Sequence, residues 1–171
     1  YLSKTLIVCP PAIKENWEDT LSKFGLHNYK IVTSGSLHKI TKQQDYDLII
    51  VDEAHKFRSD SAEMYFQLQN ICKSHTRKKL PDDTYEQKRV MLISATPLNN
   101  KPEDIANLVY LFQDAKNSSL EVGNLQHFFR GQIDAYKKLK TESDIQKVSA
   151  GVKSIYDKIR VKVIEPLTVR R

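Results

Sequence analysis

Four short, almost continuous apolar runs constrain the fold of this chain more than any other feature. They span residues 5–9, 29–33, 47–52 and 89–94. Runs without alternation are typical of strands that are covered on both faces, as in a parallel sheet between helices. Segments with helical periodicity lie between the runs, so the sequence predicts an α/β domain with right-handed crossovers.

The helical segments are predicted from apolar residues that recur every three or four positions. One stripe predicts a helix over residues 13–24 and puts Trp17 on its buried face. Further helices are predicted over 64–71 and 102–112, and over a last stripe from Ile145 to Ile159 that must be buried against other parts of the protein.

The chain changes character along its length. Residues 1–122 alternate between strand and helix patterns, whereas residues 123–171 have the pattern of helices alone, and we expect a domain boundary between the two. Within the first part, Lys73–Lys88 contains charged residues and Pro81 but few apolar ones, which predicts an exposed loop.

Composition and charge limit the partners and the compartment that are expected for the protein. The 171 residues carry a net charge of +6, and residues 130–171 hold 11 Lys/Arg against 5 Asp/Glu. This excess indicates either a nucleic-acid partner or a solvated basic helix face. The sequence has no apolar run long enough for a membrane-spanning helix, so no membrane association is expected. Cys9 and Cys72 do not have the spacing of a zinc site, which favours a reducing compartment, either cytoplasmic (with the nucleoid) or nuclear in a eukaryote.

The strongest chemical signal is a pair of acids after an apolar strand. Asp52 and Glu53 follow Leu48–Val51 and precede Ala54 and His55. Carboxylates in this position lie at the carboxyl edge of a sheet, where α/β folds bind ligands. In a nucleotide-hydrolysing site the first acid holds Mg²⁺, usually through water, and the second orients and deprotonates the attacking water. The alternative is that the acids cap a helix N-terminus.

A second signal follows the next apolar strand. Ser94-Ala95-Thr96 leads into the segment Pro97–Asn100. Small hydroxyl side chains at a strand end bridge neighbouring loops by hydrogen bonds, although the same residues are also common in simple turns.

With these motifs in this order, the chain resembles the first motor lobe of a superfamily-two helicase or translocase, and within that group a Swi/Snf-type ATPase. The resemblance implies a RecA-like three-layer α/β domain with a parallel sheet, followed by a helical segment that closes the lobe. The matching segments are residues 6–11 with Trp17 (similar to motif Ia), 32–36 (Ib), 52–55 (the D-E-A-H form of motif II), 94–96 (III), 97–112 and 166–171.

The resemblance implies roles for individual residues. Asp52 would hold Mg²⁺ through water and Glu53 would act as the general base toward ATP. His55, Ser94 and Thr96 would couple the nucleotide site to the nucleic acid, although His55 could equally be a structural histidine.

The resemblance also implies a nucleic-acid face, because motifs Ia and Ib contact the phosphates of one strand of double-stranded DNA. The alternative for residues 34–36 is an ordinary loop, and the alternative for Arg77-Lys78-Lys79 is a solvated run. The residues implied in phosphate contact are Pro11, Lys14, Thr33, Ser34, Gly35 and Ser36.

One departure from the family pattern limits what the chain can do. None of its five glycines precedes a lysine, so the phosphate-binding loop G-x-x-x-x-G-K-[ST] of P-loop NTPases is absent. We therefore expect a fragment that lacks this loop and the second motor lobe, and that neither binds ATP tightly nor hydrolyses it. The resemblance predicts the strand order 89–94, 47–52, 5–9, 29–33, with the first strand at an open apolar edge that favours self-association.

Two other functions fit the same residues. The parent protein could be another D-E-A-H motor, such as the motor subunit of a restriction enzyme or an RNA helicase. It could also be a non-catalytic module that binds nucleic acid or protein. A G-K-[ST] loop upstream in the full gene would favour a motor over the binding module.

Overall fold

The computed structural model describes residues 4–59, 62–95 and 101–168, and its contacts divide the chain into two compact units, Tyr1–Thr96 and Pro97–Arg171. Strands β1 to β6 are Thr5–Cys9, Tyr29–Thr33, Leu48–Val51, His75–Lys79, Tyr85–Gln87 and Arg89–Leu92. Helices α1 to α6 are Lys14–Lys23, Glu63–Lys73, Pro102–Tyr110, Leu125–Leu139, Ile145–Ile159 and Glu165–Leu167. Short 3-10 helices are Pro11–Ile13, Ser34–Lys39, Gln43–Asp45 and Ala54–Phe57, and a π-helix is Arg160–Ile164.

Four strands form a parallel sheet in the order β2-β1-β3-β6. Ile7 of β1 lies opposite Ile31 of β2 on one side and Ile50 of β3 on the other. On the far side of β3, Val51 lies opposite Leu92 of β6. The predicted positions, parallel direction and order of the strands are confirmed, and so is the α/β fold class.

Burial differs between the centre and the edge of this sheet. Leu6, Ile7 and Val8 of β1 are fully buried, as expected for a strand covered on both faces. On β6, in contrast, Met91 is 51% exposed, and among the described strands β6 pairs with β3 alone. The apolar run of β6 therefore belongs to an edge strand and not to a fully buried one.

The predicted loop over Lys73–Lys88 is wrong for most of its length. β4 and β5 pair as an antiparallel hairpin, and the rings of His75 and Tyr85 stack across it with centroids 4.4 Å apart. The strands escaped prediction because charged residues dominate them. Opposite charges compensate these residues, as in the pairs Lys78–Glu86 at 3.3 Å and Lys79–Asp83 at 2.7 Å.

A buried lysine joins this hairpin to the sheet. Lys88 lies between β5 and β6 and is 9% exposed. Its ammonium group donates hydrogen bonds to the carbonyl oxygens of Gln43 at 2.7 Å and Ile71 at 2.9 Å, and to the hydroxyl of Ser74. Since Ile71 and Ser74 lie at the C-terminal end of α2, the lysine supplies the donors that this helix end lacks.

The second unit is a helical cluster with its own core. Helix α3 packs on α4, and α4 packs on α5. Polar side chains fix the starts of the helices, since Asn124 accepts a hydrogen bond from the backbone N–H of His127 and Asp144 accepts from that of Gln146. The buried core residues are Ile105, Ala106, Val109, Leu125, Phe129, Ile155, Ile159 and Val163.

The apolar stripe of α5 is buried over one half alone. Ile155 and Ile159 are in the core, whereas Ile145 is 83% exposed. Burial of the start of the stripe, expected against the α/β part or against further parts of the protein, stays a prediction. Near the middle of α5, Gly151 lies so close to α4 that an added Cβ would be 2.7 Å from the end of the Leu139 side chain.

The division of the chain by contacts falls before α3. The domain boundary expected between residues 122 and 123 from the change of sequence pattern stays a prediction. Among the described helices, none has the length and apolarity that crossing a membrane requires.

We predict that Lys88→Met lowers the free energy of unfolding by about 1–3 kcal/mol, because it leaves the acceptors of Gln43, Ile71 and Ser74 without their donor. The matched control is Lys79→Met, since the Lys79 side chain is 52% exposed, and it should change stability by less than about 0.5 kcal/mol. Urea denaturation of the three proteins measures both effects, and equal losses in the two variants would contradict the role of Lys88.

The contribution of Lys88 to the free energy of unfolding should also depend on pH. Burial lowers the pKa of Lys88 from 10.5 to about 8, although Cys72 and Asp47 oppose the shift. Between about pH 8 and 10.5 the unfolded chain therefore holds a proton that the folded chain has lost, so folding becomes more favourable as pH rises. The difference in unfolding free energy between the natural chain and Lys88→Met should rise across this window, and a flat difference would contradict the shifted pKa.

Candidate functional site

The two candidate catalytic acids lie at the carboxyl end of β3. The backbone N–H of Asp52 donates to the carbonyl of Val8 in β1 at 2.8 Å, and the N–H of Ile93, just after β6, donates to the carbonyl of Val51 at 2.8 Å. The N–H of Ala54 then donates to Ile93 at 2.9 Å. These bonds continue the sheet beyond its last strand residues, so Asp52 is held between the ends of β1 and β6.

Glu53 makes the turn away from the sheet in an unusual backbone conformation. Its φ of 53° and ψ of 46° are left-handed, a region that non-glycine residues seldom occupy. Its backbone N–H donates to Oδ1 of Asp52 at 2.8 Å, and a 3-10 helix with Ala54 and Phe57 buried follows directly. The buried helix anchors the chain on one side of Glu53 and the sheet anchors it on the other, which explains how the strained conformation persists.

His55 lies against the general-base candidate. Its Nδ1 is 3.1 Å from Oε2 of Glu53, and both side chains are partly exposed, at 32% and 39%. The contact is an ion pair when the imidazole is protonated, but its geometry is not that of a hydrogen bond, because the buried Nδ1 has no hydrogen-bond partner among the described residues. His55 is thus joined to the D-E-A-H acids directly, while the described residues show no hydrogen bond between it and Ser94.

Ser94 follows β6 at the same end of the sheet as the two acids. The preceding residue, Ile93, bonds on both sides to the segment that carries Asp52 and Glu53. The hydroxyl oxygen of Ser94 is buried and has no hydrogen-bond partner among the described residues. Thr96 lies outside the described residues, so its predicted proximity to Asp52 stays a prediction.

Trp17 has a role that the sequence pattern did not indicate. Its side chain is half-buried instead of belonging fully to the core, and its indole Nε1 donates to Oδ2 of Asp52 at 2.9 Å. The sequence does contain a signal for this contact. A buried indole N–H needs a hydrogen-bond acceptor, and Trp17 follows β1, the strand next to the one that ends before Asp52. Both residues line a cleft of about 290 Å³ together with Ile13, Asn16 and Thr20.

The negative charge of Asp52 also acts on the end of β1. Burial, followed by the charge of Asp52, raises the pKa of the Cys9 thiol. A raised pKa keeps this cysteine protonated near neutral pH, which makes it a poor nucleophile.

The predicted phosphate-contact residues of motif Ia begin directly after β1. Pro11 opens an exposed 3-10 helix and Lys14 opens α1. The ammonium of Lys14 is 3.4 Å from Oε1 of Glu18, one turn further along α1. Both side chains are nearly half exposed, so this ion pair restrains Lys14 weakly.

The predicted residues of motif Ib follow the neighbouring strand. Thr33 ends β2, directly opposite Cys9 of β1, and its hydroxyl donates to that of Ser36 at 3.1 Å. Ser34, Gly35 and Ser36 form the first turn of a 3-10 helix. Because β1, β2 and β3 are parallel, both motifs and Asp52 lie at the same edge of the sheet.

The basic run Arg77-Lys78-Lys79 forms ion pairs with acidic side chains of this unit. Arg77 pairs with Asp45, Lys78 with Glu86 and Lys79 with Asp83. Acidic partners balance all three charges, which favours the solvated alternative over a phosphate contact.

The donor set at Asp52 fits magnesium better than a self-sufficient metal site. Among the described residues no group of three or more His, Cys, Asp or Glu side chains could hold a metal ion. Mg²⁺ is commonly bound by one or two carboxylates with water and substrate phosphates supplying the other ligands. Asp52, which lines an open cleft, provides one such carboxylate.

Comparison with known proteins agrees with this geometry. Residues 4–105 match the family described as DEAD/DEAH box helicase. The uncharacterized ATP-dependent helicase YqhH of Bacillus subtilis (strain 168) is 30% identical over 101 residues, which are 56% of this chain and 15% of that protein.

Among solved structures, the Sulfolobus solfataricus SWI2/SNF2 ATPase core in complex with dsDNA is similar over 99% of this chain and 34% of that chain. The TM-score is 0.63 and the sequence identity is 17%. At this identity the likeness concerns the fold alone.

The left-handed Glu53 gives a prediction about stability. Glycine adopts this conformation without strain, whereas alanine does not, so Glu53→Gly should be more stable than Glu53→Ala by about 1 kcal/mol. Both variants lose the same contact with His55, so their difference isolates the backbone. Thermal or urea unfolding measures it, and an alanine variant as stable as the glycine one would contradict the strained turn.

Proposed function

This chain belongs to the DEAD/DEAH box helicase family, and from that premise we propose that its parent protein is a nucleic-acid-dependent ATPase that moves along double-stranded DNA in the manner of the Swi/Snf-type motors. The observation that carries the proposal is the common edge of the sheet. Asp52 lies at this edge with the segments that begin at Pro11 and Thr33.

In this proposal Asp52 and Glu53 divide the chemistry of ATP hydrolysis. Asp52 holds Mg²⁺ through water, and the ion, when bound, neutralises charge on the phosphates. Glu53 orients the attacking water and takes its proton. Their different contacts support this division, since Asp52 accepts hydrogen bonds from Trp17 and the backbone N–H of Glu53, whereas the Glu53 carboxylate lies against His55.

Coupling between nucleotide and nucleic acid is assigned to His55, Ser94 and Thr96. The contact of His55 with Glu53 at 3.1 Å supports this role, because it connects the base to a second side chain that can move with it. The buried hydroxyl of Ser94 supports it too, as a donor at the end of the adjacent strand.

Contact with DNA phosphates is assigned to Pro11, Lys14 and residues 33–36. Backbone N–H groups, hydroxyls and one ammonium group at a sheet edge suit sequence-independent phosphate contact. The SWI2/SNF2 core with a similar fold is described in complex with dsDNA, and we extend that partner to this chain as part of the proposal. The basic excess over residues 130–171 adds a sequence-independent attraction to the same partner.

The 171 residues by themselves should not hydrolyse ATP. They contain no G-K-[ST] loop, and most of the binding and charge neutralisation of a triphosphate comes from such a loop and its lysine. Two neighbouring carboxylates without these groups repel the nucleotide.

The test is steady-state ATP hydrolysis by the full-length protein with duplex DNA. Glu53→Gln should lower turnover by about 10²- to 10⁴-fold, because the general base is lost, while nucleotide affinity persists. Glu63→Gln is the matched control, since Glu63 is an acid in the first turn of α2 and has no role in the proposed chemistry.

The outcomes separate the candidate functions. Stimulation by duplex DNA supports the translocase, whereas stimulation by single-stranded RNA alone would favour an RNA helicase. Undiminished turnover in Glu53→Gln would remove Glu53 from its role. Nucleic-acid binding without any hydrolysis by the full-length protein would favour the non-catalytic module.

The exposed edge of β6 gives a prediction about association of the 171-residue chain. Unpaired strand edges pair readily with another chain, and Met91 on this edge is 51% exposed. The average mass in analytical ultracentrifugation should therefore rise with concentration, and Met91→Lys should restore the monomer. Phe66→Lys, at a residue of α2 that is 52% exposed, is the control. A monomer mass at all concentrations would contradict the open edge.

A further inference from the structure

The carboxylate of Asp52 is held by two donors from different parts of the fold. The backbone N–H of Glu53 donates to Oδ1 at 2.8 Å, and the indole of Trp17 donates to Oδ2 at 2.9 Å. The first donor belongs to the turn after β3, whereas the second belongs to α1. A carboxylate fixed at both oxygens has a defined plane and cannot rotate freely about its χ2 bond.

These two bonds leave the carboxylate able to act on a ligand. An ionised carboxylate offers about four acceptor positions, and the two hydrogen bonds use one on each oxygen. Asp52 and Trp17 line the same open cleft, so a ligand in this cleft lies close to the carboxylate. Donors of this kind orient a metal-linked carboxylate and support its affinity without touching the metal.

The indole of Trp17 does not lie within the hydrophobic core. The rings of Phe57 and Phe129 do, at 2% and 1% exposure. Trp17 is instead half-buried, and it borders the open cleft at the acid.

Helix α1 connects this indole to the proposed nucleic-acid face. Lys14 and Trp17 are three residues apart on α1, so their side chains are neighbours on the helix surface. A shift of the first turn of α1 on contact with phosphates would therefore move the indole N–H relative to Asp52.

We propose that Trp17 is a positioning residue that orients Asp52 for Mg²⁺ and reports the position of α1 to the nucleotide site. The proposal rests on the proposed function, because it takes Asp52 as the magnesium-linked acid and the start of α1 as a phosphate contact.

The first experiment observes the hydrogen bond itself by NMR. Trp17 is the single tryptophan of the chain, so a ¹⁵N-labelled sample of the 171 residues gives one indole N–H cross-peak that needs no assignment. In Asp52→Ala this peak should move upfield, and its exchange with solvent should become about tenfold faster or more, because a hydrogen bond to a charged group is lost.

Asp19→Ala is the matched control, since it removes an exposed carboxylate from α1 itself. The indole peak should keep its shift and exchange rate in this variant. An indole peak that responds equally to both variants, or to neither, would overturn the hydrogen bond and the proposal with it.

The second experiment measures magnesium dependence in the full-length protein. Trp17→Phe keeps an aromatic ring on α1 and removes the donor. It should raise the Mg²⁺ concentration for half-maximal DNA-stimulated ATP hydrolysis by about tenfold, with a smaller change in the rate at saturating Mg²⁺. Leu21→Ala, at a buried residue of the same helix, should lower stability without this selective change.

The experiments distinguish a failure of the role of Trp17 from a failure of the proposed function. An unchanged Mg²⁺ requirement in Trp17→Phe, with normal hydrolysis by the natural protein, would overturn the role of Trp17 and leave the proposed function standing. A full-length protein without nucleic-acid-stimulated hydrolysis would overturn the proposed function and this role together, even where the NMR experiment detects the hydrogen bond.

Discussion

The pairing of β1 with β3 at the centre of the sheet is the interaction on which the rest of the structure depends. Its register, Thr5 opposite Leu48 through Val8 opposite Val51, ends with the backbone bond from Asp52 to Val8. That bond fixes the position along the strand direction at which Asp52 leaves the sheet. A slip of one residue would turn every side chain of β3 to the opposite face and carry Asp52 away from Trp17.

Burial of apolar side chains specifies this register, and the polar contacts of the candidate site depend on it. The central residues of β1 are fully buried, so alternative pairings would expose them to water. With the strands fixed, a few hydrogen bonds hold polar side chains in place, as with Trp17 on Asp52 and Lys88 on the end of α2. The strained, left-handed backbone of Glu53 lies at the turn directly after Asp52, where the chain leaves the sheet.

The sequence predicted those features that depend on local pattern. Continuous apolar runs gave the four parallel strands, and the acids after residues 48–51 gave the edge at which the site lies. It could not predict the hairpin of β4 and β5, because charged strands carry no apolar period and their partners, such as Asp45 for Arg77, are distant in the chain. The bond between Trp17 and Asp52 was equally hidden, since it arises from tertiary packing of α1 on the sheet.

The assignment of Asp52 as the magnesium-linked acid of a nucleotide site at this sheet edge is tested most directly by the position of the metal. Mn²⁺ can be located by its anomalous scattering in crystals of the full-length protein with a non-hydrolysable ATP analogue. We expect a peak about 4–5 Å from the Asp52 carboxylate, the reach of one bridging water. A metal and triphosphate bound far from the ends of β1, β3 and β6 would contradict it.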